Sequence, residues 1–356
     1  MTRIATILPY KENYSRKKAA AASLWVYEFR KYSKFKKNNY IFGSTNSTDY
    51  LSGKYININL NLKSKFISTT NQYCEKLAKK INAKKFDIVE IHNRPLVFNI
   101  LHKKINSKFI LYFHNDPLSM KGSKSIDERL RLLKLVDKII FVSQWVQKRF
   151  FTNVDQKLLN QTEVVYPSID RSNKLLNKKN QIVFVGKLNP SKGYDIYRDA
   201  IIKILNDFDK WKAYSIGDEN RNKPFIDHPN HHELGYLSHK EVLNFLRKTE
   251  IAVVPSRWEE PFGRTALEAS SRGCATIISN RGGLPETSDH CVTLKKLDSS
   301  NLYNEIKKLI KNKHLRKKLQ LKGFLNVKHI TKDNSLLIDD IRNSLSSEFK
   351  LNFNKN

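Results

Sequence analysis

Two glutamates with seven residues between them, Glu260 and Glu268, stand in the segment Ile251 to Glu286, IAVVPSRWEEPFGRTALEASSRGCATIISNRGGLPE. Glu260 falls in a loop with Pro261, Phe262 and Gly263 behind it, and Glu268 falls about two turns into the helix that the loop introduces. At ~1.5 Å of rise per residue the carboxylates lie on the order of 10 Å apart along that axis, too far to act on one atom. Separated carboxylates can accept hydroxyl hydrogen bonds, and a helix amino terminus with loop amides between them can receive phosphate. That combination suits an elongated polyol phosphate such as a sugar nucleotide. Taken singly, Glu260 reads as an exposed loop residue and Glu268 as a solvated helix residue; their neighbours change that reading.

A second cluster is Gly186, Lys187, Leu188, Asn189, Pro190, Ser191, Lys192 and Gly193, directly after the apolar run ending at Val185. A glycine where the backbone leaves a strand admits an anion closely, and two lysines five residues apart can clamp a diphosphate. It is not a P-loop, because Ser191 precedes Lys192 and Gly193 follows it, and no dinucleotide-binding G-x-G-x-x-G follows a predicted strand. His114 ends the run FILYFHND, Phe109 to Asp116, where it is either a packed core histidine or a site group. Asn93 and Arg94 end another strand and are weaker candidates for acceptor binding. Asp207, Phe208 and Asp209 spell D-x-D but follow a helix, which makes them a solvated turn, and His231 with His232 lacks companion ligands, so no metal is predicted.

The elements that must hold these residues alternate. Ile251 to Val254 reads as a buried strand, Thr265 to Arg272 as a helix stopped by Gly273, and Ala275 to Ile278 as the next parallel strand. Ligands of such βαβ units collect beyond the carboxyl ends of the strands. In the first half, Ile4 to Leu8, Asp87 to Ile91, Phe109 to Phe113 and Lys138 to Val142 read as strands, with helices at Ala19 to Tyr32 and Ser125 to Leu135. The polar stretch Arg171 to Asn180 reads as a linker, after which strand Gln181 to Val185 restarts an alternation reaching about Thr331. The expected class is α/β, with domains at residues 1–172 and 173–335 and a C-terminal helix at 336–356 returning to the first domain.

Pro255, Ser256, the Glu260 and Glu268 pair, Pro261, Phe262, Gly263 and the turn Gly282 to Glu286 resemble the signature of retaining glycosyltransferases of family GT4. The resemblance implies a GT-B fold, two Rossmann-like doubly wound parallel-sheet domains facing a central cleft. It implies that Glu260 and the following loop, Pro261, Phe262, Gly263 and Arg264, hold the donor sugar and that Glu268 holds the nucleotide ribose. The segment from Gly186 to Gly193 is similar to the family's diphosphate loop, with Lys187 where arginine is usual, which keeps the charge and loses the planar fork. A histidine at the place of His114 lies close to the donor sugar in that family, so the implied catalytic set is His114, Glu260 and Lys192. Val142, Ser143 and Trp145, then Tyr166 to Asp170, Gly217 with Asp218, and Gly235 to Ser238 match further loops. One segment departs from the pattern: Pro9 to Lys18, PYKENYSRKK, lacks the glycines whose amides meet the donor phosphate. Either Arg16, Lys17 and Lys18 supply the charge, or the contact shifts to Ala19 and Ala20.

The implied activity is transfer of a sugar from a nucleoside diphosphate donor, UDP- or GDP-linked, to a hydroxyl of a glycan or lipid-linked acceptor, without a cofactor. Cell-surface polysaccharide or lipopolysaccharide synthesis is the expected setting. Two other classes stay open: a sugar-nucleotide epimerase of GT-B-like fold and a non-enzymatic basic protein that binds polyanions.

Composition sets outer bounds. A chain of 356 residues suits two domains of about 170 each. No run of eighteen apolar residues exists, and MTRIATILPY reads as a short strand rather than a leader, so a cytoplasmic protein is expected. The three cysteines, Cys74, Cys274 and Cys291, are scattered and read as free thiols. Sixty-five basic against thirty-four acidic residues give a formal charge of +31. Lysine outnumbers arginine and no nucleic-acid motif appears, so a surface for polyanionic or membrane-bound acceptors at the inner face of the plasma membrane is expected instead. Trp25, Phe29, Tyr32 and Phe35 recur among basic residues; the first three keep helical spacing, which favours core packing over a membrane face.

Overall fold

A computed structural model of the chain describes residues 2–10, 12–17, 19–60, 67–219 and 224–353, without side chains for 348–353. In chain order the first elements are β1 (Ile4–Ile7), α1 (Ala21–Tyr32), β2 (Asn39–Gly43), β3 (Tyr55–Asn57), α2 (Thr69–Lys84), β4 (Ile88–His92), α3 (Pro95–Leu101), β5 (Lys108–Phe113), α4 (Ile126–Leu135), β6 (Lys138–Phe141), α5 (Gln144–Phe150) and β7 (Thr162–Val164). They are followed by β8 (Lys179–Val185), α6 (Tyr194–Asp207), β9 (Lys212–Ile216), β10 (His231–Glu233), α7 (His239–Leu246), β11 (Thr249–Val254), α8 (Arg264–Ser271), β12 (Ala275–Ile278), β13 (Val292–Thr293), α9 (Ser299–Lys311), α10 (Lys313–Leu325) and α11 (Thr331–Phe353). Two compact units result: Met1–Pro167 with Thr331–Asn356, and Ser168–Ile330. The expected boundaries lay five residues later at each place, at 172/173 and 335/336.

The first unit is a seven-stranded parallel sheet in the order β3-β2-β1-β4-β5-β6-β7. The second is six-stranded and parallel in the order β10-β9-β8-β11-β12-β13. Parallel strands covered on both faces lose the polar alternation of a half-exposed sheet, and β11 is buried at all six positions. Side chains then divide by parity. Ile110 and Tyr112 of β5 enter one core with α1 and α11, while Leu111 and Phe113 enter the other with α2 to α5. Ile251 and Val253 face the core of α6 and α9, and Ala252 faces that of α7 and α8. In each sheet the order reverses beside its first strand, between β1 and β4 and between β8 and β11. Such switch points open the crevices in which ligands of these folds sit.

A buried ion pair ties a late helix to the fourth strand of each sheet. Arg342 of α11 donates at 2.8 Å to each oxygen of Glu90 on β4, and Thr6 Oγ1 adds a bond of 2.7 Å. Arg342 also meets Asp339, which accepts from Ser33 Oγ and Lys34 N after α1. In the second unit Arg316 of α10 meets Glu250 of β11 at 3.0 Å, and Gln320 donates to the Glu250 carbonyl. Breaking such a pair leaves an uncompensated buried charge, so it fixes where the helix docks more than it adds stability.

Trp25 and Phe29 are buried against Ile338 and Leu345, while Tyr32 is about one-third exposed. The first helix therefore packs Trp25 and Phe29 into the core, while Tyr27 and Tyr32 stay on its exposed side. The linker expected to Asn180 is shorter than its polarity suggested. Lys179 pairs with Thr249 through the backbone, and a bulge between Thr249 and Ile251 lets two exposed polar residues extend β8.

Candidate active site

In the second unit the loops after β8 and β11 are bonded to each other. Asn189 caps the short turn Pro190–Lys192, and the Ser191 carbonyl accepts from Arg257 N at 3.0 Å and Trp258 N at 2.9 Å. The Arg257 guanidinium grips Asp195, at the start of α6, through both carboxylate oxygens. Gly193 bends the chain into α6 with φ of 74°, and a side-chain carbon there would stand 1.9 Å from the Pro255 carbonyl oxygen. No L side chain fits so close an approach. This bracing brings Lys192 Nζ to 2.6 Å from Glu260 Oε1. The Glu260 carbonyl in turn accepts from Gly283 N at 2.7 Å, so the GGLPE turn holds the glutamate's backbone. Lys187, five residues before Lys192, is exposed and has no hydrogen bond or ion pair from its ammonium among the described residues.

Gly263 starts α8, and Arg264 and Glu268 share one face of it a turn apart. The Glu268 carboxylate is buried, and Oε1 accepts from His239 Nε2 at 3.0 Å and from Arg264 at 3.2 Å. Burial alone pushes its pKa up. The His239 hydrogen bond, with the charges of His239 and Arg264, outweighs burial and holds it below the usual carboxylate value. His239 opens α7, whose amino end is fixed by a reciprocal capping box between Ser238 and Glu241. Phe262 is buried and meets the His329 ring edge to face at 5.4 Å. The loop residues expected to hold a donor are thus brought together; Pro261, Gly263 and Arg264 continue directly from Glu260.

In the first unit His114 follows β5, and its Nε2 lies 2.8 Å from Nδ1 of His92, the last residue of β4. His92 is fully buried, stacked on Tyr112 at 4.3 Å, and the Trp25 ring packs its edge against both imidazoles. Burial, with the Arg342 charge behind it, takes the His92 pKa down to about 3. Asn93 sits in the left-handed region at φ 57°, which short polar side chains tolerate, and its Oδ1 accepts from His114 N at 3.3 Å. The Arg94 guanidinium lies over the Tyr10 ring at 5.6 Å. His92, Asn93, Arg94 and His114 therefore share one strand-end cluster.

The glycine-free loop after β1 takes an arrangement not foreseen in the sequence. Glu12 Oε1 accepts from Ala22 N at 3.1 Å, and the Asn13 carbonyl accepts from Ala20 N at 3.2 Å. The amino end of α1 is thus served by the chain's own oxygens. Burial raises the Glu12 pKa despite the Ala22 and Ser23 amides and the nearby Arg94 charge. Of the two open readings, contact at Ala19 and Ala20 meets this internal capping, Arg16 pairs with Asp49 at 3.5 Å, and Lys18 lies outside the described residues.

Three other residues that serve these loops escaped sequence reasoning. The Asp195 and Arg257 pair joins segments 62 residues apart with no motif to announce it. His239 was readable as the residue after a helix cap, S-x-x-E, but not as the partner of Glu268. A cavity of about 450 Å³ beside α6 and α9, lined by Lys203, Asp207 and Tyr303 among others, contains none of the site residues.

Residues 166–331 match the family described as Glycosyl transferases group 1. An uncharacterized glycosyltransferase of Methanocaldococcus jannaschii is 31% identical over 68% of this chain and 71% of its own length. Spore coat protein SA of Bacillus subtilis is 26% identical over 61% of this chain, and the match spans 66% of the relative, just under two thirds. Among solved structures, Anabaena HepE in complex with UDP and glucose superposes with a TM-score of 0.75 at 15% identity, covering 97% of this chain and 100% of that one. WaaG, a glycosyltransferase involved in lipopolysaccharide biosynthesis, superposes with a TM-score of 0.71 at 12% identity over 95% and 99%. Among the described residues no helix is long and apolar enough to cross a membrane. With its two parallel-sheet units and these relatives, the chain belongs to the group 1 glycosyl transferases and has their GT-B fold.

Proposed function

We propose that this protein is a retaining glycosyltransferase of the GT4 type, which moves a sugar from a nucleoside diphosphate donor to a hydroxyl of a glycan or lipid-linked acceptor. The observation that carries the reading is the Lys192 ammonium seated at 2.6 Å on Glu260, in two loops braced to each other at a topological switch point. An ammonium has three N–H donors, so Lys192 can keep Glu260 and still bind a phosphate oxygen. Lys187 adds a second cation, exposed and without an ion-pair partner among the described residues.

In the reaction the bond between the anomeric carbon and the diphosphate oxygen breaks, and the acceptor oxygen bonds to that carbon on the same face. The acceptor's proton passes to the departing phosphate oxygen. Lys187 and Lys192 stabilise the negative charge that grows on the leaving group, as fixed cations do at developing oxyanions. Glu260 accepts hydrogen bonds from donor-sugar hydroxyls, Glu268 takes the ribose, and His114 gives a hydrogen bond to the sugar. Asn93 and Arg94 contact the acceptor. Such a same-face route needs no second carboxylate within about 5.5 Å, unlike a retaining glycosidase. UDP- or GDP-linked donors are favoured; among the structural neighbours, HepE was solved with UDP and glucose.

The net charge of +31 supports an anionic or lipid-linked acceptor in cell-surface polysaccharide synthesis, met at the inner face of a membrane. Incubation of the full chain with UDP-, GDP- and ADP-sugars and candidate acceptors tests the reading. A glycosylated product with retained configuration is expected. Release of a free epimer from donor alone, with no product in any acceptor mixture, would assign the protein to the epimerases instead.

A further inference from the structure

We propose that His92 is a positioning residue that locks the His114 imidazole with its proton on Nδ1, so that His114 works as a neutral hydrogen-bond donor and not as a proton acceptor. The inference rests on the role proposed above for His114. It starts from the 2.8 Å contact between His92 Nδ1 and His114 Nε2. One of these two nitrogens carries the shared hydrogen, and the rest of the His92 ring decides which.

His92 Nε2 is buried and has no hydrogen-bond partner among the described residues. If His114 donated to His92 Nδ1, the neutral His92 ring would carry its only proton on Nε2, as a buried N–H with no acceptor. The indole N–H of Trp25, whose ring meets His92 in a T-shaped contact, is itself a buried donor without a partner among the described residues. A second stranded donor in the same packing would compound the cost, because an unpaired buried N–H is among the rarest features of native interiors. The arrangement that avoids it puts the proton on His92 Nδ1, donated to His114 Nε2, and leaves His92 Nε2 bare. His114, accepting at Nε2, then holds its own proton on Nδ1.

The surroundings keep His92 neutral, as the lock requires. Tyr112 of β5 stacks on it, Trp25 of α1 meets it in a T-shaped contact, and the charged groups on this face are Glu90 of β4 with Arg342 and Asp339 of α11. Glu90 and Asp339 are both engaged by Arg342, so neither carboxylate stands free to favour an imidazolium. Burial and the Arg342 charge act in the same direction on the His92 pKa. A proton taken up at His114 Nε2 would have to displace the His92 hydrogen.

Side-chain nitrogen NMR of the full, uniformly ¹⁵N-labelled chain at pH 7.5 reads the tautomer directly. The expected wild-type spectrum shows His114 protonated on Nδ1 and bare at Nε2, with His92 also protonated on Nδ1. His92→Asn, whose side-chain amide can replace the Nδ1 donor, keeps the His114 tautomer. His92→Phe, which fills similar volume without a donor, loses it and shifts His114 toward the Nε2–H form that a free histidine prefers. Nε2–H on His114 in the wild type, or an unchanged His114 signal in His92→Phe, would overturn the proposal. Should His92→Phe fail to fold, the wild-type spectrum decides alone. The spectrum is recorded without donor or acceptor, so it can fail while transfer activity stands, and a failed transfer assay leaves it unaffected.

Discussion

The two units share a strand order around their switch points and each clamps its fourth strand to a late helix, yet their first loops treat negative charge in opposite ways. After β8 the chain presents two lysines, Lys187 with no ion-pair partner among the described residues and Lys192 shared with Glu260. After β1 the amino end of α1 is occupied by Glu12 and by the Asn13 carbonyl. One loop carries cations, and the other satisfies amides of its helix internally. The same topology thus supplies the crevice in both, and the loop residues decide what it receives.

The largest expected effect concerns the clamps. Arg342→Ala leaves Glu90 buried without its cation and is expected to destabilise the first unit by about 3–5 kcal/mol, read as a shift of the denaturation midpoint. A loss under about 1 kcal/mol would show that α11 is not held by this pair. Next comes the cationic loop. Lys192→Ala is expected to lower the transfer rate by about 10²–10³-fold, and Glu260→Gln by a similar factor, with the melting temperature changed far less. Wild-type rates in both variants would remove the contrast between the loops.

Acid sharpens the comparison through His92. Its folded pKa of about 3 lies below the ordinary 6.5, so the unfolded chain binds more protons between these values. Stability is then full above pH 6.5 and falls as pH drops toward 3, by about 1.4 kcal/mol per pH unit from this residue. Between pH 6.5 and 4.5 roughly 2 kcal/mol is expected to go, and His92→Asn should flatten the slope. The smallest effect belongs to Glu12. Glu12→Gln weakens a helix cap and is expected to cost about 1 kcal/mol of stability while leaving donor affinity unchanged. A large gain in donor affinity would show that α1 amides bind phosphate once Glu12 is neutral.

What could be seen in the sequence follows the physics of burial. The βαβ unit around Glu260 was legible because strands buried on both faces are continuous apolar runs, and Gly273 marks the helix end. The edge strands β3, β7, β10 and β13 were not, since they are two or three residues long and carry polar side chains such as those of His231 and His232. Lys192, Glu260 and Glu268 were legible from spacing and resemblance. Their supports were not: Glu90 and Arg342 are 252 residues apart, His239 and Glu268 are 29 apart, and neither separation follows a local period. Glu12 was hidden for another reason. Its loop differs from the family pattern by lacking glycines, and only packing shows that its carboxylate accepts from an amide of α1.

The central claim is that the Lys192 and Glu260 loops grip an activated sugar through its diphosphate. Titration calorimetry of the full chain with UDP-, GDP- and ADP-sugars tests it most directly. At least one donor is expected to bind one to one, and Lys192→Ala is expected to weaken it by about tenfold or more, roughly 1.4 kcal/mol. Absence of binding by every donor, or equal affinity in Lys192→Ala, would contradict the account.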